Sequence, residues 1–516
     1  MKYLNCKWES LISNWDITSL WLFVALPRGF GSGKRHRMMI QQDEDENITR
    51  PLIQHSDASS LSPESIRTNF HLMSLLFAIN HGCTVSVLGL SNARLGSIGV
   101  WQSGVLYGSY TASALYGASY FVKQLGSRNG LVLGMGMSAS YVTSFFFATI
   151  IVEHNESLIW LQSLVAICGA LIGGVGSSIL WVSQGTFFTY AAQLYASTNN
   201  NGQVVENVTS RFGGNFSFIF LIFEVILRLL STFLIETLGI SWKVIFGMYS
   251  VLSIVPVFFM MGILDVERYQ YNLLQTENGR EENEEDNTSP SYKATAALNL
   301  LRSDRKAIYL APINILFGLS TSFSASILSG VIIQKVLNDP NSKYVGLYTS
   351  ITSLVASGAS LFFGRIQSRL MHGKERVLTS GALAYLAISL QFIVYPNGND
   401  WTSITLMSSY ILLGVGRATY EGTLRAVFAD VFPNHKEGAF GNIILFSGGA
   451  STLGYILSVT NALECNQVSR YCLEYSDGSI HNILITEILI ILSAVVAIPS
   501  LWRAVRIHRN EHHNNE

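Results

Sequence analysis

From residue 68 onward, apolar and polar residues come in long blocks rather than alternating. A membrane-crossing helix needs ~20 consecutive, mostly apolar residues, and a 3.6-residue helical period does not show where every face meets lipid or protein. Twelve runs of about this length can be marked off, at 68–91, 98–122, 130–152, 158–187, 213–236, 242–263, 307–332, 344–364, 376–395, 402–427, 439–460 and 481–502. The fourth and tenth have blurred ends, because each continues into an amphipathic stretch. The pattern predicts an all-α membrane protein: twelve transmembrane helices arranged as two six-helix halves.

The polar segments divide the chain further. Residues 1–66 read as a flexible cytosolic tail, 67–264 as the first half and 306–502 as the second, with a cytosolic tail at 503–516. Between the halves, 265–305 contains "TENGREENEEDNTSPSY", acidic and without apolar periodicity, so it is expected to be disordered. The apolar stretch "SLWLFVALP" at 19–27 is too short to span a bilayer, and its basic cluster follows it, whereas a signal peptide carries that cluster in front.

Composition agrees with lipid as the main solvent. Only 13% of the 516 residues are charged and 49% are hydrophobic, whereas soluble domains carry roughly 25% charged residues. The net charge of -1 gives no basic balance that would favour nucleic acid. Lys and Arg concentrate in alternate loops: Lys123 and Arg128; Arg302, Arg305 and Lys306; Arg365, Arg369, Lys374 and Arg376; Lys436; then Arg503, Arg506 and Arg509. The intervening loops hold few, namely Arg94, Lys343 and Arg470. The positive-inside rule then puts both termini in the cytosol, in a plasma membrane or an endomembrane. On the outer side, Asn155-Glu-Ser is a candidate glycosylation acceptor, and Cys465 and Cys472 are candidates for a disulfide.

The halves carry traces of a repeat. "GVG" stands at 174–176 in the fourth run and at 414–416 in the tenth, followed by "SQGT" and "YEGT" respectively. With the basic loop Gly364, Arg365, Arg369, Gly373 and Lys374, this layout resembles the major facilitator superfamily. That resemblance implies a substrate path between the halves. A more specific match lies at 414–457. Gly414, Gly416, Arg417 and Glu421 precede "FADVFP" (428–433) and "KEGAF" (436–440), and the fourth run adds Trp181, Gln184 and Gly185. These motifs resemble the uncoordinated-93-like (Unc-93-like) family, a branch of the superfamily. Its members are associated with regulating potassium channels or escorting receptors.

Charges inside the bilayer are costly and mark sites to test. At ~1.5 Å rise per residue, Arg417 lies ~24 Å and Glu421 ~30 Å along the tenth helix from Trp401. Arg417, Glu421 and Arg425 recur every four residues, so Glu421 is expected to bridge both arginines. Glu224 and Arg228 form a second i, i+4 pair near mid-depth of the fifth helix. Each set reads either as a structural clasp or as a gate. Asn80, His81, Gln184 and Asn314, with Asn442 and Glu487, are polar groups that either line a path or bond neighbouring helices. No Walker loop, metal-ligand spacing, nucleophile elbow or dinucleotide fingerprint occurs, so neither an enzyme nor a cofactor is expected. Two functions remain open: transport of a small solute or ion by alternating access, or a non-transporting accessory role beside a channel or receptor. A cavity lined by helices one, four, five, seven and ten would favour transport.

Overall fold

In the computed structural model, the described residues are 61–515 except 96, 155–157, 199–203, 271–294, 339–343, 396–400, 460–471 and 475–479. Helical segments stand at all twelve expected places. The first half comprises Pro63–Leu95, Ser97–Tyr116 continued by Ala118–Leu125, Ser127–His154, Ile159–Thr198, Val205–Leu238 and Trp242–Met260. The second comprises Arg305–Leu337, Val345–Ile366, Gly373–Val394, Ser403–Val431, Lys436–Val459 and Leu484–Asn515. Ten of these helices are both long and apolar enough to cross a membrane. The two outside that measure are the second and the tenth. The second is rich in Ser, Gly and Tyr and is interrupted at Gly117. The tenth carries the three charges Arg417, Glu421 and Arg425.

Two helices change pitch midway. The seventh passes through a π-helical stretch at Ser324–Ile332 and the tenth through another at Thr419–Leu424. A π turn inserts an extra residue into the α ladder and rotates everything beyond it. The tenth helix starts from a capping box, in which Thr402 and Thr405 satisfy each other's backbone N–H groups.

Several boundaries differ from expectation. The expected tail to residue 66 gives way to helix from Pro63, and the fourth helix runs on to Thr198. Within the expected disordered linker, Ala296–Ser303 is a helix. It buries Ala297 and Leu300, and its Ala297 carbonyl accepts a hydrogen bond from Asn442 Nδ2 at 3.0 Å. That apolar spacing on a short segment was hidden by the acidic composition next to it. The expected tail at 503–516 is likewise helical as far as Asn515. Its Arg503 guanidinium covers the Tyr309 ring at 4.8 Å, Arg509 pairs with Glu375, and Lys306 pairs with Glu511. These contacts dock the end of the twelfth helix on the seventh and ninth. Asn155 and Cys465 lie outside the described residues. Cys472 opens a small antiparallel hairpin, Cys472–Glu474 against Ile480–Asn482.

The halves meet along two seams. The fifth helix packs along the eighth, and the second along the eleventh. On the first seam, a Cβ added at Gly214 would sit 2.9 Å from Gly364 Cα, so the backbones touch. Only glycine permits that approach.

Candidate functional site

A cavity of 780 Å³ lies between the halves. Its walls draw on helices one, two, four, five, seven, eight, nine, ten and eleven. It runs from Val100, Trp101, Gln334 and Val345, beside the 1–2 and 7–8 loops, down to Trp181, Glu421 and Arg425. Past that floor the halves close on one another. Gly185 abuts the Phe440 ring, Gly213 faces the Gly422 carbonyl, and Gly214 meets Gly364. Gln367 Nε2 donates to Ser210 O at 3.2 Å, and Ser119 Oγ donates to Glu437 O at 3.2 Å.

The same closed end carries the basic loop. Gly364 and Arg365 fall within the eighth helix rather than in the loop, and Gly373 begins the ninth. A Cβ at Gly373 would strike the Gln367 carbonyl at 2.0 Å, which accounts for glycine at the turn. Arg365 and Arg369 are exposed. Lys374 pairs with Asp430 and also donates to Glu206 O at 3.1 Å. Thr209 Oγ1 donates to Asp430 Oδ1 at 2.8 Å, so this ion pair is tied to the fifth helix of the other half. At the turn between helices two and three, Glu267 accepts the Ser127 N–H at 2.7 Å, and burial raises its carboxyl above the usual range.

The intramembrane charges are arranged differently from expectation. Glu421 does not bridge Arg417 and Arg425. It pairs with Arg425 at 3.2 Å, while Arg417 turns to Glu224 on the other half. The pitch changes here at Thr419–Leu424, and Glu224 on the other half offers Arg417 a buried bidentate partner. Arg417 binds Glu224 through both guanidinium nitrogens, Nη1 to Oε1 at 2.9 Å and Nη2 to Oε2 at 2.6 Å. The expected Glu224–Arg228 pair is present at 2.5 Å. Ser353 Oγ adds a bond to Glu224 at 3.1 Å, and Arg228 donates to Thr349 O at 3.1 Å. Glu224, 1% exposed, therefore links helices five, eight and ten. Bidentate, charge-assisted bonds of this kind are strong and geometrically exacting.

At the floor, Arg425 lies over Trp181 with 4.0 Å to the ring centroid and donates toward Gln184 Oε1 at 3.4 Å. Its Nε is buried without a partner. His81 lines the cavity, with its ring 4.9 Å from Trp181. Asn80 does not line it: Nδ2 holds Met135 O at 3.1 Å and Ser253 O at 2.7 Å, so it joins helices one, three and six. Asn314 is buried and donates to Leu310 O at 2.9 Å within its own helix. Glu487 is buried on the twelfth helix, away from the cavity.

Sequence reading missed the aromatic lining. Tyr107, Tyr110, Tyr385, Tyr410, Tyr420 and Tyr455 all face the cavity, and Phe317 stacks on Tyr420 at 3.4 Å between ring centroids. The available signal was tyrosine in mid-helix, since a phenol deep in a bilayer needs a polar neighbour or water. Among the described residues no group of His, Cys, Asp and Glu could hold a metal ion.

This architecture, two packed six-helix halves around one central cavity, is that of the major facilitator superfamily. The profile of the Major Facilitator Superfamily matches residues 204–457. Solved structures agree on the fold. A bacterial homologue of the iron transporter ferroportin, in its outward-facing state, superposes with a TM-score of 0.56 at 15% identity, covering 86% of this chain and 99% of that one. The proton:xylose symporter XylE superposes with a TM-score of 0.55 at 13% identity, covering 86% and 95%. The resemblance to Unc-93-like proteins extends over most of the chain. UNC93-like protein 3 of Arabidopsis thaliana is 23% identical over 76% of this chain and 81% of its own length. Protein unc-93 homolog A of Bos taurus is 22% identical over 73% and 82%. The protein is thus an integral, multi-pass membrane protein with Unc-93-like relatives.

Proposed function

We propose that the protein carries a small solute or ion across its membrane by alternating access. One observation carries this reading: the cavity between the halves is lined by helices one, four, five, seven and ten together, and it ends on a sealed layer. A protein that only held partner helices would gain nothing from a walled chamber of 780 Å³; transporters place their site at this position. On this reading the sealed face, which gathers Lys123, Lys374 and Arg509, is cytosolic by the positive-inside rule. The chamber then faces outward, and the Glu224–Arg417 pair is a clasp between halves that rearranges as they rock.

The test is reconstitution of the purified chain into liposomes, with a panel of ions and small solutes, against the Glu421→Gln variant. Uptake above that of empty liposomes, reduced in the variant, is expected. If nothing is taken up while a channel or receptor co-purifies with the chain, the accessory reading replaces this one.

A further inference from the structure

We infer that the cavity takes an organic anion with a flat, apolar body, an aromatic carboxylate being the simplest case. This deepens the transport reading and rests on it. The charge balance gives the sign. Arg228, Arg417 and Arg425 line the chamber, and the acidic groups paired with them are Glu224 and Glu421. Three guanidiniums against two carboxylates leave one positive charge uncompensated in a largely apolar setting. Burying an unmatched charge is costly, and a bound anion would relieve it.

The surplus arises at Glu224, and geometry shows where an incoming anion finds an open donor. Glu224 is shared by two arginines and spends both oxygens on them. Arg425 has a weaker claim on its partners: its bonds to Glu421 and Gln184 are 3.2 and 3.4 Å, and its buried Nε bonds to nothing. A carboxylate reaching the floor would meet that guanidinium with donors to spare. Around it stand Trp181, Tyr107, Tyr110, Phe317 and Tyr420, an aromatic wall suited to a flat apolar body. Toward the other side, Ser326, Ser329, Ser447 and Ser451 line the wall, so polar substituents could be bonded there. The volume lies within the 300–1,000 Å³ range of sites for ligands of drug size, too large for a bare inorganic ion.

Isothermal titration calorimetry of the full chain in detergent tests this with a matched set. The probes are 2-naphthoate, 2-naphthylmethanol, 2-naphthylmethylammonium and acetate. Binding of 2-naphthoate is expected, at least tenfold tighter than each of the other three. Arg425→Gln should weaken it at least tenfold, with Arg425→Lys intermediate. Glu421→Gln, which adds to the positive surplus, should tighten it several-fold. That opposite sign keeps the inference open to refutation if Arg425→Gln fails to fold. Preference for the ammonium or the alcohol, or no heat from 2-naphthoate at millimolar concentration, overturns it. Because binding is read without liposomes, anion binding without uptake would sink the transport reading alone. Uptake of a cation or neutral solute without anion binding would sink only this inference.

Discussion

Replacing Glu224 by Gln is expected to be the most damaging single change among the intramembrane charges. The carboxylate is 1% exposed and holds two guanidiniums whose side chains are only 13% and 17% exposed. Gln keeps the shape but removes the charge, so two nearly buried cations lose their counter-ion together. Removing one partner of a buried pair typically costs about 3–5 kcal/mol. The converse changes are milder. With Arg417→Gln, Glu224 still has Arg228 at 2.5 Å, and with Arg228→Gln it keeps the bidentate bond to Arg417. The expected order of loss is therefore Glu224→Gln well above Arg417→Gln and Arg228→Gln. The double variant Glu224→Gln, Arg417→Gln should lose less than the sum of its parts, by on the order of 1 kcal/mol or more, since one orphaned cation is removed as well. Thermal unfolding of the four variants in one detergent, followed by size-exclusion profile, provides the cycle. Equal losses for Glu224→Gln and Arg417→Gln, or strict additivity in the double variant, would refute the shared-carboxylate arrangement.

Three further outcomes can be checked in the same assay. Gly214→Ala places a Cβ 2.9 Å from both Gly364 Cα and Ser360 O, backbone atoms that cannot yield locally, and should destabilise by about 1–3 kcal/mol; an unchanged melting temperature would argue against the tight five–eight seam. Asp430→Asn removes the partner of Lys374 at the sealed end and should cost about 1–3 kcal/mol, whereas Arg365→Gln, on an exposed side chain, should stay within about 0.5 kcal/mol. Trp181→Leu removes the ring 4.0 Å from the Arg425 guanidinium as well as packing on Phe77, Phe216 and Phe220; the cation–π share, about 0.5–2 kcal/mol, should vanish in an Arg425→Gln background while the packing loss stays, and equal losses in the two backgrounds would refute the contact.

What the sequence by itself determined is whatever depends on the solvent of each segment. Lipid demands long apolar helices, so the helical runs could be placed from hydropathy, ten of them long and apolar enough to span, and the alternate basic loops could be assigned to one face. Near-neighbour pairing on one helix was also legible, as for Glu224 with Arg228 and Glu421 with Arg425. Tertiary structure decided the rest. Arg417 reaches across to Glu224, some two hundred positions earlier in the chain, and no i, i+4 rule can anticipate a partner on another helix. The helix at Ala296–Ser303 and the helical carboxyl end owe their order to surfaces supplied by distant helices. The tyrosine lining of the chamber belongs with these. A phenol in an apolar helix reads the same whether it faces lipid, a neighbour or a cavity, and only the packing of two halves fixes which.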